Sequence, residues 1–302
     1  MFVAKRRVKR GAFLAVALGC VAAGGLIVAA EERPPEAGKT AGAAVRDLTA
    51  KEKNRLYQAE QLLLRTCMRD HGFEYRPVPR NPVPQAREFP YVVDDVAWAR
   101  KHGYGSDIQR EMARLREQDV NQRYFRSLPR ERRAQALRAA NGQDPNGVTA
   151  RALDGMVLRR STEGCQSDTD RVLYGDLAAW FQAKVTQDSL PEVRHKRVMA
   201  DPAFGRAVKQ WAHCMRAAGH PYASPAQLRE EALSGPGEPA LAQRQEIRLA
   251  VAEAHCAADT GLAGTAHALD RTYAIRLRHQ YRSELSSCCR AHLWRGADGR
   301  PD

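Results

Sequence analysis

Seven cysteines carry most of the chemistry open to this sequence. Thiols at these positions can pair, ligate a soft metal or take a lipid. Two of them sit in a repeated context: RTCMRDHGFEY (65–75) aligns with AHCMRAAGHPY (212–222). Cys67, Met68, Arg69, Gly72 and Tyr75 match Cys214, Met215, Arg216, Gly219 and Tyr222. Each copy is followed by another cysteine near acidic and small residues, Cys165 in EGCQSD and Cys256 in EAHCAAD. Four cysteines allow three pairings, and a duplicated unit selects Cys67–Cys165 with Cys214–Cys256. Closing a loop of ~40 residues stabilises by about 4 kcal/mol in the chain-entropy model, and a longer loop by slightly more. Two alternatives stand beside this: four reduced, buried thiols, or zinc held by His213, Cys214, His255 and Cys256. Zinc is disfavoured because neighbours on a helix point about 100° apart and the spacing fits no common zinc pattern. Cys288-Cys289 lies outside the repeat; it can bridge to another chain or stay free.

Other chemistry finds little support. The chain has no Gly-x-Ser-x-Gly, no His-Glu-x-x-His, no Gly-rich phosphate loop and no Cys-x-x-Cys-His. Asp94-Asp95 can be read as the carboxylate pair of a glycoside hydrolase, but a helix N-cap explains it better. Asp176, after Tyr174-Gly175, has the same explanation. His71 and His220 flank the repeated glycines, where solvation of a helix end accounts for them. No catalytic residue, cofactor site or metal site is therefore assigned. Trp98, Trp180, Phe181 and Trp211 fall on apolar helical faces and are expected in the core.

The elements that position these residues follow from spacing and caps. Thr49 with Glu52 makes a capping box, and Leu56, Ala59, Leu63 and Cys67 recur at helical spacing until Gly72. Residues 73–90 carry five prolines and must be extended, crossing the surface or forming a recognition loop. Asp94 or Asp95 starts a short helix closed by Gly103. Ser106 starts a longer one running through Tyr124, and Ser127 with Pro129 restarts helix to Ala140. Asp154-Gly155, between apolar and β-branched residues in 148–160, predicts a β-hairpin with a type I′ turn. Helix returns from Cys165, pauses at Gly175 and resumes through Trp180. Pro191, Asp201-Pro202 and Ser224-Pro225 each open another, the last ended by Gly235. Residues 238–260 form a further helix, and a final one runs from about Thr265 towards Cys288.

Ahead of this body stands a segment of another kind. The formal charge is +13, and Lys5, Arg6, Arg7, Lys9 and Arg10 precede any acid. Residues 11–30 are uncharged and almost wholly apolar. Cations before an apolar run orient the chain with its N-terminus in the cytoplasm and its body outside. Residues 1–30 are thus expected to be a signal peptide or a membrane anchor. Twenty apolar residues suffice to span a bilayer; Val28-Ala29-Ala30 offers a cleavage site; Ala17-Leu18-Gly19-Cys20 partly matches a lipobox, making Cys20 a possible lipidation site. Arg6-Arg7 lacks the following Phe-Leu of a twin-arginine signal. Residues 31–46 read as a flexible linker and 288–302 as a disordered tail.

An exported chain meets an oxidising compartment, where such cysteines pair. The exported part keeps an excess of +8, either a solvated arginine-rich surface or an attraction to anionic lipid headgroups or phosphate-rich wall polymers. Nucleic acid is excluded as a partner by location and by the lack of a basic stripe interleaved with aromatics.

Cys67-Met68 with Gly72-Phe73, Leu173-Tyr174-Gly175-Asp176, Trp211 with Cys214-Met215 and Gly219, and Glu246 through Cys256 to Thr260-Gly261-Leu262 together resemble a group of exported or membrane-anchored helical proteins of actinobacteria. The resemblance covers about residues 48–262. It implies export, helical structure and paired cysteines, and carries no activity. The expected fold is mainly all-α, with two related disulfide-stapled helical units (47–190 and 191–287) and one small hairpin near 148–160. The expected function is a non-catalytic extracytoplasmic envelope protein, on the cell membrane or secreted, that binds a protein partner or an anionic envelope polymer. The alternative is a hydrolase of wall polymers.

Overall fold

Backbone satisfaction at helix ends sets the element boundaries of this chain. The structure, a computed structural model, describes residues 48–234 and 239–286. The leader with Cys20, the 31–46 linker, Gly235 and the Cys288-Cys289 tail lie outside the described residues. Among the described residues no helix is long and apolar enough to cross a membrane.

Helix α1 spans Ala50–Asp70, and both halves of the Thr49/Glu52 capping box are formed. The next 25 or so residues have no regular structure, as five prolines require. They do not merely cross the surface, however, since Phe73 and Val83 are buried in separate clusters. Helix α2 (Val96–His102) is capped by Asp95, whose carboxylate accepts from the Trp98 amide, and ends at Gly103. The single helix expected from Ser106 is two, α3 (Ser106–Glu117) and α4 (Val120–Ser127). Asp119 breaks it by accepting from the Gln122 amide and so capping a new start. Helix α5 covers Arg130–Asn141.

Strands β1 (Val148–Arg151) and β2 (Val157–Arg160) pair antiparallel, with Val148 opposite Arg160 and Arg151 opposite Val157. Their connection is wider than the expected two-residue turn. Gly155 donates to Ala152 O, Ala152 donates to Met156 O, and Gly155 takes φ 93°. A left-handed glycine after a turn is the bulged form of hairpin loop. Ala150 and Leu158 face Leu177, Trp180, Phe181 and Val185, so the hairpin gains its stability by lying on a helix.

Helix α6 (Cys165–Tyr174) stops at Gly175, and Asp176 caps α7 (Leu177–Met199). Pro191 lies inside α7 and does not open a new helix. It removes one amide donor from the ladder, but packing holds both sides: the N-terminal half carries the hairpin, and Val198 is buried in the main core. Helices α8 (Pro202–Ala217), α9 (Pro225–Ser234), α10 (Pro239–Asp259), α11 (Leu262–Gln280) and α12 (Arg282–Ser286) complete the order. Helix α11 begins three residues before the expected Thr265, because Gly261 in the left-handed region (φ 74°) turns the chain at once.

The described residues fall within one unit, and position 190 lies within α7. The main core gathers Trp211, Met215, Leu228, Leu249 and Leu262 from α8 to α11, and it also takes Tyr91 and Val92 from the first half of the sequence. Glu253 of α10, fully buried, fastens that insertion: it accepts from the Val93 amide at 2.8 Å, from the Tyr104 hydroxyl at 2.7 Å and from Arg229 at 3.2 Å. Burial pushes the Glu253 carboxyl up, and the Arg229 guanidinium pulls it back. The fold is thus mainly helical, with one two-stranded hairpin and two disulfides, Cys67–Cys165 and Cys214–Cys256.

Candidate functional site

The duplicated segments have the same local geometry. In both, the cysteine lies three residues before the helix end. His71 donates to Cys67 O and Ala218 to Cys214 O; Phe73 donates to Met68 O and His220 to Met215 O. Gly72 (φ 77°) and Gly219 (φ 82°) take the left-handed turn this cap demands. The two methionines are buried under their caps. The likeness ends at the partner cysteines. Cys165 is the first residue of α6, whereas Cys256 is in the last turn of α10. The Cys214 and Cys256 sulfurs are bonded to each other, and His213 and His255 are exposed beside them. Among the described residues those four ligand atoms do not converge as a group.

Of the carboxylates read as caps, Asp95 and Asp176 cap helices and Asp94 does not. Asp95 is held below the usual carboxylate range by the Trp98 amide and by Arg87, with which it pairs. Asp94 pairs with His267, and Asp176 accepts from the Ala178 and Ala179 amides. The carboxylates with raised pKa are elsewhere. Burial lifts Asp170 of α6 to about 6 against the pull of Arg160, and lifts Glu60 of α1; the two charges also repel. Neither lines the open groove of about 910 Å3 between α1 and the Pro77–Asn81 segment, nor the cleft of about 310 Å3 beside Cys67. Asp170 is instead committed to Arg160 at 2.7 Å under the hairpin.

The surface over the first disulfide is different in character. Tyr124 and Phe125 of α4 and Leu128 at its C-cap, with Ala136 and Ala139 of α5, pack on Met68, Phe73 and Cys165. Asn121 clips this pair of helices to the extended segment, taking the Arg76 amide and giving to Arg76 O, both at 2.8 Å. Arg132 lies 4.3 Å over the Phe73 ring and donates to Gly72 O. With one face so anchored, the helices turn Arg123, Arg126, Arg130, Arg133 and Arg138 outward, all exposed. Residues 121–141 contain six arginines and one acid, Glu131. Among the described residues no carboxylate pairs with those five arginines. The contrast with Arg87–Asp95, Arg160–Asp170, Arg194–Asp270 and Arg229–Glu253 is sharp. Those four arginines each have a carboxylate partner; the five exposed on α4 and α5 have none among the described residues.

The four tryptophan and phenylalanine residues assigned to the core, Trp98, Trp180, Phe181 and Trp211, are all buried. Compared with protein-family models, curated proteins and solved structures, this chain matches none.

Proposed function

We propose that the protein is a non-catalytic envelope component, exported like the actinobacterial proteins it resembles, that holds a phosphate-rich anionic partner on the α4–α5 arginine face. Residues 11–30 would anchor the body at the outer face of the membrane or be removed on secretion. The observation that carries the reading is the set of five exposed arginines without carboxylate partners on a helix pair packed over the first disulfide. Guanidinium groups match phosphate oxygens in a two-pronged way that an ammonium does not. A cation near an anionic surface contributes about 1 kcal/mol, so five give strong but salt-sensitive attachment.

The wall-hydrolase alternative attaches to Glu60 and Asp170, whose carboxyls are both raised. Neither carboxylate lines either groove, and Asp170 is paired with Arg160, which favours the binding reading. The test uses the full chain with vesicles of phosphatidylglycerol in phosphatidylcholine, pure phosphatidylcholine vesicles, and a poly(glycerol phosphate) polymer. Binding should require the anionic lipid or the polymer and fade with salt. Arg130→Gln/Arg133→Gln/Arg138→Gln should weaken it by roughly two orders of magnitude. Equal binding to neutral vesicles, or an unaffected triple variant, would remove this function.

A further inference from the structure

The two disulfides differ in one respect that the duplication makes visible. Beside Cys67 and Cys165 stands His71, and the two sulfurs and an imidazole nitrogen lie within 4.8 Å of one another. The residue in the place of His71 in the second copy is Ala218. We infer that, once reduced, Cys67, Cys165 and His71 form a three-ligand site for a single thiophilic divalent cation of the zinc type, and that the disulfide is the closed state of the same atoms.

Each ligand is placed by the fold for this task. Cys67 and His71 are four residues apart at the end of α1, the spacing that puts two side chains on one face. Cys165 is the first residue of α6, a ten-residue helix. The positive end of a helix lowers a thiol pKa and favours the thiolate that a metal requires. Its approach to α1 is enforced from behind. A side chain at Gly164 would strike the Gly142 backbone at 2.3 Å, so the chain before Cys165 is fixed against the end of α5. Zinc takes thiolates at about 2.3 Å and imidazole at about 2.0 Å, separations the three groups reach by small side-chain rotations once the bond opens. Cys67 and His71 line a cleft together with Asp70 and Asp168, from which water or a carboxylate would complete a tetrahedron. Cys214 and Cys256 share none of this: no imidazole occupies the cap position, and neither sulfur is at a helix N-terminus.

The chemistry balances with a phosphine reductant. The phosphine takes oxygen from water to become its oxide, and the S–S bond gains two electrons and two protons to give two thiols. The cation then displaces both thiol protons and accepts two thiolates and the neutral imidazole.

The test uses the full chain with Cys20, Cys288 and Cys289 replaced by Ser, reduced with a phosphine and titrated with Co2+, whose tetrahedral thiolate complexes absorb in the visible and near ultraviolet. One Co2+ per chain is expected, displaced by Zn2+, with no band in the oxidised protein. His71→Ala should weaken binding at least tenfold, and Cys67→Ser should abolish the thiolate band. Cys214→Ser/Cys256→Ser should leave the signal intact, which separates this site from loose binding to freed thiols. Circular dichroism is followed on the same samples. No tetrahedral band, a band indifferent to His71→Ala, a band lost in the Cys214/Cys256 variant, or loss of helix on reduction would each overturn the site.

Discussion

Among single residues, Asp170 and Glu253 show how burial and pairing oppose each other. Glu253 is fully enclosed yet has three donors, one of them charged. A buried carboxylate left without such partners costs several kcal/mol. Asp170 has one strong partner, Arg160, and a repelling neighbour, Glu60, so burial prevails and its carboxyl rises to about 6. The folded state therefore holds a proton that the unfolded chain, with an ordinary aspartate, has already released. Stability from this group is complete below about pH 4 and is lost as pH rises through about 6. Urea unfolding of the wild type and Asp170→Asn at pH 4 and pH 7 checks this. The wild type should lose up to roughly 3 kcal/mol relative to the variant between those values; a gap that does not move with pH contradicts the assignment. None of this is visible in the sequence, because Glu60, Arg160 and Asp170 meet only through packing of α1, the hairpin and α6.

Among elements, the helix ends were legible and the helix interiors less so. Thr49 with Glu52, Asp95 before Gly103, Asp176 after Gly175, and Asp201 before Pro202 each satisfy backbone groups within a few residues. Such local interactions can be read along the chain. The continuity of α7 through Pro191 could not be read that way, since packing on its two halves replaces what the proline removes. The split at Asp119 rests on a local cap of the same kind, set within a long polar helical stretch. The docking of α2 on α10 is non-local, and it depends on the absence of a side chain. A Cβ at Gly103 would meet the Glu246 Cβ at 2.9 Å and the Ile247 amide at 3.0 Å, and φ there is 62°. Gly103→Ala should cost at least about 2 kcal/mol, through strain and separation of the helices. Gly219→Ala, in open space with a similar φ of 82°, should cost only the backbone part, about 1 kcal/mol. Denaturant midpoints of the two variants measure the difference; equal losses would show that the α2–α10 approach is not close.

At the scale of the molecule, the duplication predicted the cysteine pairing correctly because the same cap is built twice around Cys67 and Cys214. It was less informative about organisation. The two related units share a core, because Tyr91 and Val92 join the cluster built by α8 to α11 and Glu253 accepts from the Val93 amide. The candidate binding face was only half legible. An excess of +8 can be counted, but which arginines are spent on Asp95, Asp170, Asp270 and Glu253, and which remain exposed on α4 and α5, is settled by tertiary contact. His71 likewise looks like ordinary helix-end solvation until α6 brings Cys165 beside it.

All of these partners presuppose that the folded body stands outside the cytosol, where thiols oxidise and envelope polyanions are at hand. The direct test is non-reducing peptide mapping of the chain recovered from fractionated cells, with free thiols alkylated at lysis. The account predicts that the chain is found with the envelope or outside the cell, and that Cys67 is joined to Cys165 and Cys214 to Cys256. A chain recovered from the cytosol with all four of these cysteines alkylated would contradict it.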